Sequence, residues 1–477
     1  MSADFDRWYT DVVRKAEMAD WSGVRGMMVI RPYGQSMWEN VQRAFDDMIR
    51  SSGHENWTFP LLIPRSLLAK EAEHVEGFAP EVAWVTRAGA QMEELDEPLA
   101  IRPTSETIIG PLVRRYIHSH RDLPLLTNQW CNVMRWEMRS RLFLRTREFF
   151  WQEGHTFHAG HEEAAAEVEL ILEYYRRMAE EWLAMPVLLG RKSEAEKFAG
   201  AVYTLSMEAL MRDGLALQAG TSHHLGQNFS RAYDIGFTSR ANRRELCHTT
   251  SWGMSTRLLG GLVMAHGDDS GLVVPPRIAP VQVAVVPIGY RDEESRTRLA
   301  AFLEPILEQL RAAGVRHRVD WREERPGEKF AHWELKGVPL RLEVGPRDVE
   351  AGQGMLVERL GRVRRAVPVA GIGLALSAEL EGFHEALFQR ALRFREENTF
   401  EVAGKRELIA HFSERNGFVW TSWCGDAVCE AEVKELTGAT TRGRPLPGSP
   451  DAHRQVPAAC AVCGRPSEGP VVFARSY

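Results

Sequence analysis

The chain has 477 residues, which at ordinary domain size corresponds to about three domains. Hydrophobic residues make up 44% of the sequence and charged residues 26%, a composition that excludes disordered and collagen-like chains. The formal net charge of −6 excludes a polybasic protein, but it is compatible with a nucleic-acid site confined to one face.

The sequence contains no recognisable targeting or membrane segment. The opening stretch MSADFDRWYT is polar and acidic, unlike a secretory signal. The most apolar stretch, residues 271–289, is interrupted by prolines and an arginine, so it does not predict a membrane-spanning helix. Six cysteines in a chain of this length argue against a disulfide framework. We therefore expect a cytoplasmic protein without a membrane partner.

Residues 1–279 are predicted to form one large mixed domain. Apolar periodicity predicts a helix over residues 162–182, and β-rich runs predict strands over residues 129–137 and 148–157. A hairpin of these two strands would bring Arg135, Arg145 and the arginines between them together, which favours binding of an anion. Alternation along the second strand places Phe149, Trp151, Glu153 and His155 on one face, as in a pocket lining. The alternative is a solvated hairpin with surface salt bridges.

Residues 280–376 are predicted to form an α/β domain. It begins at a proline-rich joint with a strand over residues 281–287 and a helix over residues 293–313, and further strands are predicted over residues 315–319, 340–344 and 354–358. Residues 311–366 contain 13 basic and 9 acidic residues, a local excess of 4 positive charges. This excess favours a phosphate-facing surface, although charge runs often only solvate a face.

Residues 377–477 are predicted to form a small third domain, which starts with a helix over residues 377–394. Its four cysteines have the spacing of two paired knuckles, with four residues between Cys424 and Cys429 and two between Cys460 and Cys463. This spacing predicts a structural zinc site with four thiolate ligands, because no position is left open for a substrate. The alternative is four reduced cysteines without a metal.

Seven segments together resemble one enzyme family, the class II aminoacyl-tRNA synthetases, and in wording the prolyl-tRNA synthetases of the archaeal/eukaryotic-like type. Residues 53–60 (GHENWTFP) resemble motif 1, residues 135–155 (RWE, then LRTREFFWQEGH) resemble motif 2, and residues 266–277 (HGDDSGLVVPPR) resemble motif 3. The other segments are RPTSET at 102–107, KFAGAVYT at 197–204, QAGTSHHLGQNFS at 218–230 and SWGMSTR at 251–257. The resemblance covers essentially the whole chain.

The resemblance implies a fold and an activity. The implied fold is an α+β catalytic domain with a mostly antiparallel sheet, followed by an α/β anticodon-binding domain and a small zinc-containing α+β domain. The implied reaction joins proline to ATP as prolyl-adenylate and then transfers the prolyl group to the proline tRNA. ATP, Mg²⁺, structural Zn²⁺ and a homodimer are implied as well. Only about sixty residues separate motif 2 from Gln218, too few for an inserted editing domain, so a separate trans-editing protein is implied for mischarged alanine.

The resemblance also implies site residues. Arg135 and Arg277 are expected to be catalytic, because a planar guanidinium can hold two anions at once. The residues expected to contact ATP are Arg135, Trp136, Arg145, Thr146, Phe149, Gln218, Thr221, Ser255, Arg257 and Arg277. The residues expected to contact proline are Thr104, Glu106, Arg135, Trp151, Phe198 and His223. Without this context, Glu106 would more often be a surface or helix-capping carboxylate. The anticodon candidates are Lys329, Glu334, Lys336, Arg341, Glu343 and Arg347.

Two alternatives to this function stay open at the sequence level. The first is a synthetase-like RNA-binding or regulatory protein without catalysis. The second is a related class II enzyme for another small amino acid, with cysteine and alanine as the obvious competitors, since an apolar pocket discriminates such neighbours by only about 1 to 3 kcal/mol.

Overall fold

The computed structural model describes residues 4–74 and 81–477. Up to residue 279, the helices are α1 Phe5–Lys15, α2 Pro32–Ser51, α3 Arg65–His74, α4 Glu106–Val113, α5 His161–Arg177, α6 Asn228–Tyr233 and α7 Arg257–His266. The strands of this part are β1 Ala19–Trp21, β2 Met28–Ile30, β3 Glu55–Asn56, β4 Leu62–Pro64, β5 Trp84–Ala88, β6 Glu93–Ile101, β7 Leu125–Met134, β8 Glu148–His158, β9 Val187–Arg191, β10 Tyr203–Leu210, β11 Ala216–Gly226, β12 Gly236–Thr238, β13 Arg244–Leu246 and β14 His248–Ser255.

A large antiparallel sheet organises this first part of the chain. Its strands run β9-β10-β11-β14-β8-β7, and the short β3 pairs in parallel with β7 at the edge. Strands β7 and β8 pair over their whole length, from Leu125 opposite Phe157 to Met134 opposite Glu148. Helix α5 covers one face, where Val168, Ile171 and Tyr175 are fully buried. The opposite face of the sheet is left open for a site.

Helix α5 illustrates how the sequence sets local structure. Its apolar residues recur at helical spacing, two glutamates lie in its first turn, and two arginines lie in its last, so its charges complement the helix dipole. The predicted helix over residues 162–182 corresponds to α5 followed by one π-helical turn, Met178–Trp182.

The middle part of the chain forms a separate mixed sheet, with strand order β16-β15-β17-β18-β19. Its elements are β15 Val283–Pro287, α8 Glu293–Ala312, β16 His317–Val319, α9 Pro326–Leu335, β17 Leu340–Val344, α10 Pro346–Ala351, β18 Gln353–Glu358 and β19 Arg364–Pro368. The first three strands of this order pair in parallel and the last two pairings are antiparallel. The four strands and the helix predicted for this part are all present.

The C-terminal part does not form a sheet of its own. Its elements are α11 Ile372–Glu397, β20 Thr399–Glu401, α12 Lys405–Glu414, β21 Phe418–Ser422, α13 Ala427–Thr437, β22 Thr440–Pro445 and β23 Pro470–Ala474. Strand β22 pairs with β9, so these four strands extend the first sheet to 11 strands. The fold class expected from the sequence is confirmed, but this continuity was not predicted.

Among the described residues, no helix is long and apolar enough to cross a membrane.

Candidate active site

A cavity of about 720 Å³ lies on the open face of the large sheet. Its walls come from β8, β10, β11 and β14, from the segment leading into α4, and from the loop that follows β7. Phe149, Trp151, Glu153 and His155 all line it, as the alternation along β8 predicts. The intervening residue Gln152 points to the other face, where it meets Tyr175 of α5.

One end of the cavity presents an ionised carboxylate. Glu106 begins α4 and is only 6% exposed. The Thr104 hydroxyl donates to its Oε2 at 2.5 Å, and His155 Nε2 lies 3.5 Å from its Oε1. Burial alone would raise the pKa of Glu106, but the hydrogen bond and charge of His155, together with Thr104, outweigh burial and lower the pKa to about 2. Glu106 therefore offers a buried negative charge at neutral pH.

A second carboxylate, Glu153, lies behind the first. Ser105 donates its hydroxyl proton to Glu153 Oε1, and Gln129 Nε2 donates to the same oxygen at 2.7 Å. Burial raises the pKa of Glu153; attraction to His155 opposes this shift, and repulsion from Glu106 adds to it. The environments of the two carboxyl groups thus push their pKa values apart, and Glu106 holds its charge more firmly.

A histidine and two aromatic rings form the wall beside Glu106. The Thr204 hydroxyl lies 2.9 Å from His223 Nδ1, and the Thr221 hydroxyl lies 3.1 Å from His223 Nε2. The Phe198 and His223 rings are 4.6 Å apart between centroids, and Trp151 also lines the cavity. Burial lowers the pKa of His223 to about 4, so the ring is neutral at neutral pH. The result is a small, largely apolar box with one anionic side.

The other end of the cavity is cationic. Arg135 Nε donates to the Pro103 carbonyl at 3.1 Å, and its guanidinium carbon lies 5.5 Å and 5.4 Å from the ring centroids of Phe149 and Trp151. Its side chain is exposed to the cavity but enclosed by protein elsewhere, and this desolvation lowers its pKa. Burial, and then the positive charges of Arg135 and Arg145, lower the pKa of Arg257 to about 10. Two arginines that repel each other across a cavity favour an anion between them.

Most of the predicted ATP and proline residues line this one cavity, namely Thr104, Glu106, Arg135, Trp136, Phe149, Trp151, Phe198, Gln218, Thr221, His223, Ser255 and Arg257. Arg145 and Thr146 do not line it. Arg145 lies 3.9 Å from Glu137, a lining residue, and is therefore at the margin. Thr146 is buried, and its hydroxyl donates to the Glu148 carbonyl.

Arg277 is not brought together with the other predicted site residues, and its role in catalysis stays a prediction. Arg277 does not line the cavity: it donates to the Glu181 carbonyl at 2.7 Å and pairs with Glu381 of α11 at 3.0 Å. Helix α7 begins at Arg257 and carries the chain away, so an arginine twenty residues further on lies at the joint with the C-terminal part. Arg257 is the arginine that faces Arg135 across the cavity.

The six predicted anticodon residues are divided between several roles. Glu334 and Arg341 line a second cavity of about 110 Å³ in the middle part of the chain. Lys329 is 2% exposed and donates to the Tyr290 hydroxyl and the Asp320 carbonyl. Lys336 pairs with Glu17 at 2.6 Å. Glu343 is buried between Arg341 and Arg364, and Arg347 is exposed. Lys329 and Lys336 are thus committed to contacts within the protein.

The four C-terminal cysteines come together in space. The Sγ atoms of Cys424, Cys429, Cys460 and Cys463 all lie within 4.8 Å of one another, and Cys424 Sγ is 3.7 Å from both Cys429 and Cys463. These separations are too long for a disulfide bond. They match the distance of about 3.8 Å between sulfurs that surround one tetrahedral zinc with bonds of about 2.3 Å. The donor set therefore fits zinc.

Comparisons with known proteins give the family of this chain. The family model for the tRNA synthetase class II core domain (G, H, P, S and T) matches residues 85–266, the anticodon binding domain matches residues 282–376, and the C-terminal domain of prolyl-tRNA synthetase matches residues 406–477. A proline–tRNA ligase of Symbiobacterium thermophilum is 50% identical over 483 residues, which cover 100% of this chain and 97% of the relative. The chain belongs to the prolyl-tRNA synthetase family.

Two further relatives agree with this assignment. Proline–tRNA ligase 2 of Clostridioides difficile is 48% identical over 478 residues, covering 100% of this chain and 97% of the relative. A crystal structure of prolyl-tRNA synthetase from Cryptosporidium parvum, complexed with halofuginone and AMPPNP, is 38% identical and has a TM-score of 0.92, covering 99% of this chain and 95% of that one. The resemblance to prolyl-tRNA synthetases noted in the sequence is confirmed.

Among the lining residues of this prolyl-tRNA synthetase family member that had no predicted role, His155, Glu153 and Thr204 lie nearest the predicted proline residues. His155 contacts Glu106, Glu153 lies behind it, and Thr204 holds His223. The alternation along β8 already placed His155 and Glu153 on the cavity face. Thr204 is the final residue of the KFAGAVYT segment, but nothing in its local spacing indicates a partner 19 residues away.

Buried histidines give the stability of the protein a definite pH dependence. Burial lowers the pKa values of His158, His223, His266 and His384 to about 3, 4, 3 and 4. Because unfolding lets these rings take up protons at an ordinary pKa near 6.5, the unfolded state binds more protons below that pH. We expect the free energy of unfolding to fall as the pH drops from about 6.5 to 4, by about 1 kcal/mol per pH unit for each histidine.

Urea denaturation at several pH values between about 5 and 7 measures this effect. His266→Gln should reduce the slope, whereas the same change at the exposed His118 should leave it unaltered. An unfolding free energy that is flat over this range would show that the buried rings do not govern acid stability.

Proposed function

We propose that this chain is a prolyl-tRNA synthetase that activates L-proline with ATP and transfers the prolyl group to the proline tRNA. The observation that carries the proposal is one cavity in which the charged Glu106 carboxylate and an apolar box lie beside Arg135 and Arg257. Proline has the complementary groups, namely a small apolar ring, a secondary ammonium and a carboxylate.

Glu106 and Thr104 bind the ammonium of proline, and Trp151, Phe198 and His223 enclose its ring. Arg135 then holds the proline carboxylate next to the α-phosphate of ATP. The carboxylate oxygen attacks the α-phosphorus, the bond to the β-phosphate oxygen breaks, and pyrophosphate leaves. Two anions approach each other in this step, so shared guanidinium contacts lower its barrier more than a single-point cation would.

The nucleotide occupies the cationic end of the cavity. Phe149 stacks on adenine, Trp136, Gln218, Thr221 and Ser255 supply further contacts, and Arg257 takes the phosphate role first expected of Arg277. Arg145 and Thr146 reach ATP only after the loop that follows β7 adjusts. ATP would bring Mg²⁺ on its triphosphate. Glu137, the cavity carboxylate beside Arg145, is the residue that would hold this ion. Asp268 is not a ligand in this proposal, because both its oxygens are held by Arg359 at 2.5 and 2.8 Å.

In the second step, the terminal adenosine 3′-hydroxyl of the tRNA attacks the prolyl carbonyl carbon and AMP leaves. The middle part of the chain holds the anticodon stem, with Arg341, Glu334 and Arg347 facing the bases and the buried Glu343 positioning Arg341. Such contacts between arginine or carboxylate groups and base edges are the usual means of reading unpaired bases.

Arg347 provides a test of the anticodon assignment. Arg347→Ala should raise the KM for tRNA about 10-fold, the loss of one charged hydrogen bond, while leaving ATP–pyrophosphate exchange unchanged. Arg406→Ala, at an exposed arginine of α12, serves as the control. Equal losses in charging and exchange would move Arg347 out of the anticodon site.

The cysteine cluster holds a structural Zn²⁺ in this proposal, with ligands Cys424, Cys429, Cys460 and Cys463. Cys463→Ser should remove one zinc per chain and lower the Tm by several degrees, because metal binding contributes directly to folding. Metal analysis of protein purified under reducing conditions measures the first effect. Cys131→Ser, a variant outside the cluster, should keep its zinc. Equal zinc content in both variants would show that the four cysteines do not bind the ion.

The proposal also covers the functional units of the chain, its assembly and location, and the editing of mischarged tRNA. The functional units are residues 1–279, 280–376 and 377–477. The enzyme is a cytoplasmic homodimer. The support for the dimer is the sheet edge at β3, where the nearby Leu61 and Tyr116 are 42% and 54% exposed. Editing of mischarged alanine falls to a separate protein, because the interval between motif 2 and Gln218 is only about sixty residues long and already contains α5, β9 and β10.

ATP–pyrophosphate exchange with a panel of amino acids tests the function. Exchange that depends on proline, and is weaker by at least about 100-fold with alanine or cysteine, is the expected result. Preference for another amino acid would indicate a sister enzyme. Binding of tRNA without any exchange would indicate a non-catalytic RNA-binding protein.

A further inference from the structure

Three histidines form a cluster on the face of the large sheet that is turned away from the cavity. They are His161, the first residue of α5, His224 of β11 and His248, the first residue of β14. One ring nitrogen from each lies within 4.8 Å of the other two. Because His223 lines the cavity and side chains alternate along a strand, the neighbouring His224 points to the opposite face. The cluster is therefore separate from the proposed active site.

The ring nitrogens in this cluster have few hydrogen-bond partners. Among residues 4–74 and 81–477, His224 Nε2 and His248 Nδ1 are buried without a hydrogen-bond partner. Buried polar atoms in folded proteins are almost always paired, so two unpaired nitrogens facing a third imidazole need an explanation. His161 is exposed at the end of its helix, which leaves a path from solvent into the cluster.

We propose that His161, His224 and His248 bind one divalent first-row transition metal ion, represented by Zn²⁺, with water in the open fourth position. Imidazole nitrogens are preferred ligands of these ions, whereas Mg²⁺ and Ca²⁺ require oxygen. Bonds of about 2.0 to 2.1 Å to a tetrahedral ion place the nitrogens about 3.4 Å apart. The nitrogens lie within 4.8 Å of one another, so the rings must move closer together when the ion binds.

Binding of the metal ion would break one hydrogen bond within the cluster. The backbone N–H of Gly226 donates to His224 Nδ1 at 3.0 Å, so the ring proton of neutral His224 is on Nε2. Coordination through Nε2 moves that proton to Nδ1 and breaks the bond from Gly226. In return, the metal joins the start of α5 to β11 and β14, the two strands that also line the proposed active site on their other face.

Metal binding to the full-length protein tests this site independently of any catalytic activity. After removal of bound metal and reloading with excess Zn²⁺, the wild-type chain should hold one more equivalent than either His161→Ala or His248→Ala. His118→Ala, at an exposed histidine outside the cluster, should match the wild type. Zn²⁺ should raise the Tm of the wild type more than that of the two variants, because a ligand that binds only the folded state stabilises it. Mg²⁺ should have no such effect.

Co²⁺ distinguishes this site from the cysteine cluster. Cobalt bound by imidazole gives visible absorption bands without the sulfur-to-metal charge-transfer band of a thiolate site. Loss of one cobalt equivalent in His161→Ala, with the thiolate band unchanged, would support the proposal. Equal metal content in the wild type and both variants would overturn it.

Discussion

Replacing Arg135 with alanine should lower proline-dependent ATP–pyrophosphate exchange by about 1000-fold or more, the scale expected for loss of an arginine that stabilises phosphoryl transfer. The Arg135 guanidinium lies over the rings of Phe149 and Trp151, and its Nε donates to the Pro103 carbonyl, so it is already in place before substrates bind. Without it, two anions must approach each other with no shared partner. Arg135→Lys should recover only part of the loss, because an ammonium is a point charge.

Arg277→Ala is the matched control for this experiment. Arg277 contacts Glu181 and Glu381 away from the cavity, and its removal should leave exchange within a few-fold of the wild type. Arg257→Ala, by contrast, should impair exchange strongly. If Arg277→Ala were inactive and Arg257→Ala active, the assignment of the two arginines would have to be reversed.

Replacing Glu106 with glutamine should raise the KM for proline about 10- to 100-fold, the cost of losing a hydrogen bond to a charged group in a buried site. The amide keeps the size of the side chain but removes the negative charge that the environment of Glu106 maintains down to a pKa of about 2. The KM for ATP should change little, because the nucleotide occupies the other end of the cavity.

Two further observations would show that the effect on the proline KM comes from the charge of Glu106. Glu196→Gln removes a carboxylate at the cavity wall that does not belong to the Glu106 network, and it should leave the KM for proline near that of the wild type. The KM of the wild-type enzyme should also be independent of Glu106 titration above about pH 5, because the carboxylate is then fully ionised. An unchanged proline KM in Glu106→Gln would remove this residue from ammonium recognition.

The sequence was sufficient to predict the part of the cavity wall in which the spacing along one strand determines the direction of each side chain. In β8 the period of two places four consecutive alternate residues on one face, and all four line the cavity. The same rule separates His223 from His224. Strands β15 and β17 were predicted within two residues at each end, because each is a short β-branched or apolar run bounded by turn residues.

Long-range arrangement was not predictable in the same way. Arg277 and Arg257 are both arginines near motif 3, and only the course of α7 decides which one faces Arg135. Lys329 and Lys336 belong to a basic segment, but their long side chains reach Tyr290 and Glu17 rather than solvent. Pairing of β22 with β9 joins residues about 250 positions apart, and neither strand carries a local signal for the other.

The pairing of β22 with β9 has a consequence for how this protein is made. Until β22 and β23 have been translated, β9 exposes a free backbone edge that can pair with other chains. The backbone contacts of Ala216 with Arg475 and Tyr477 are formed later still. A nascent chain interrupted before residue 440 is therefore an aggregation hazard rather than a smaller working enzyme, and quality control during synthesis should act on it strongly.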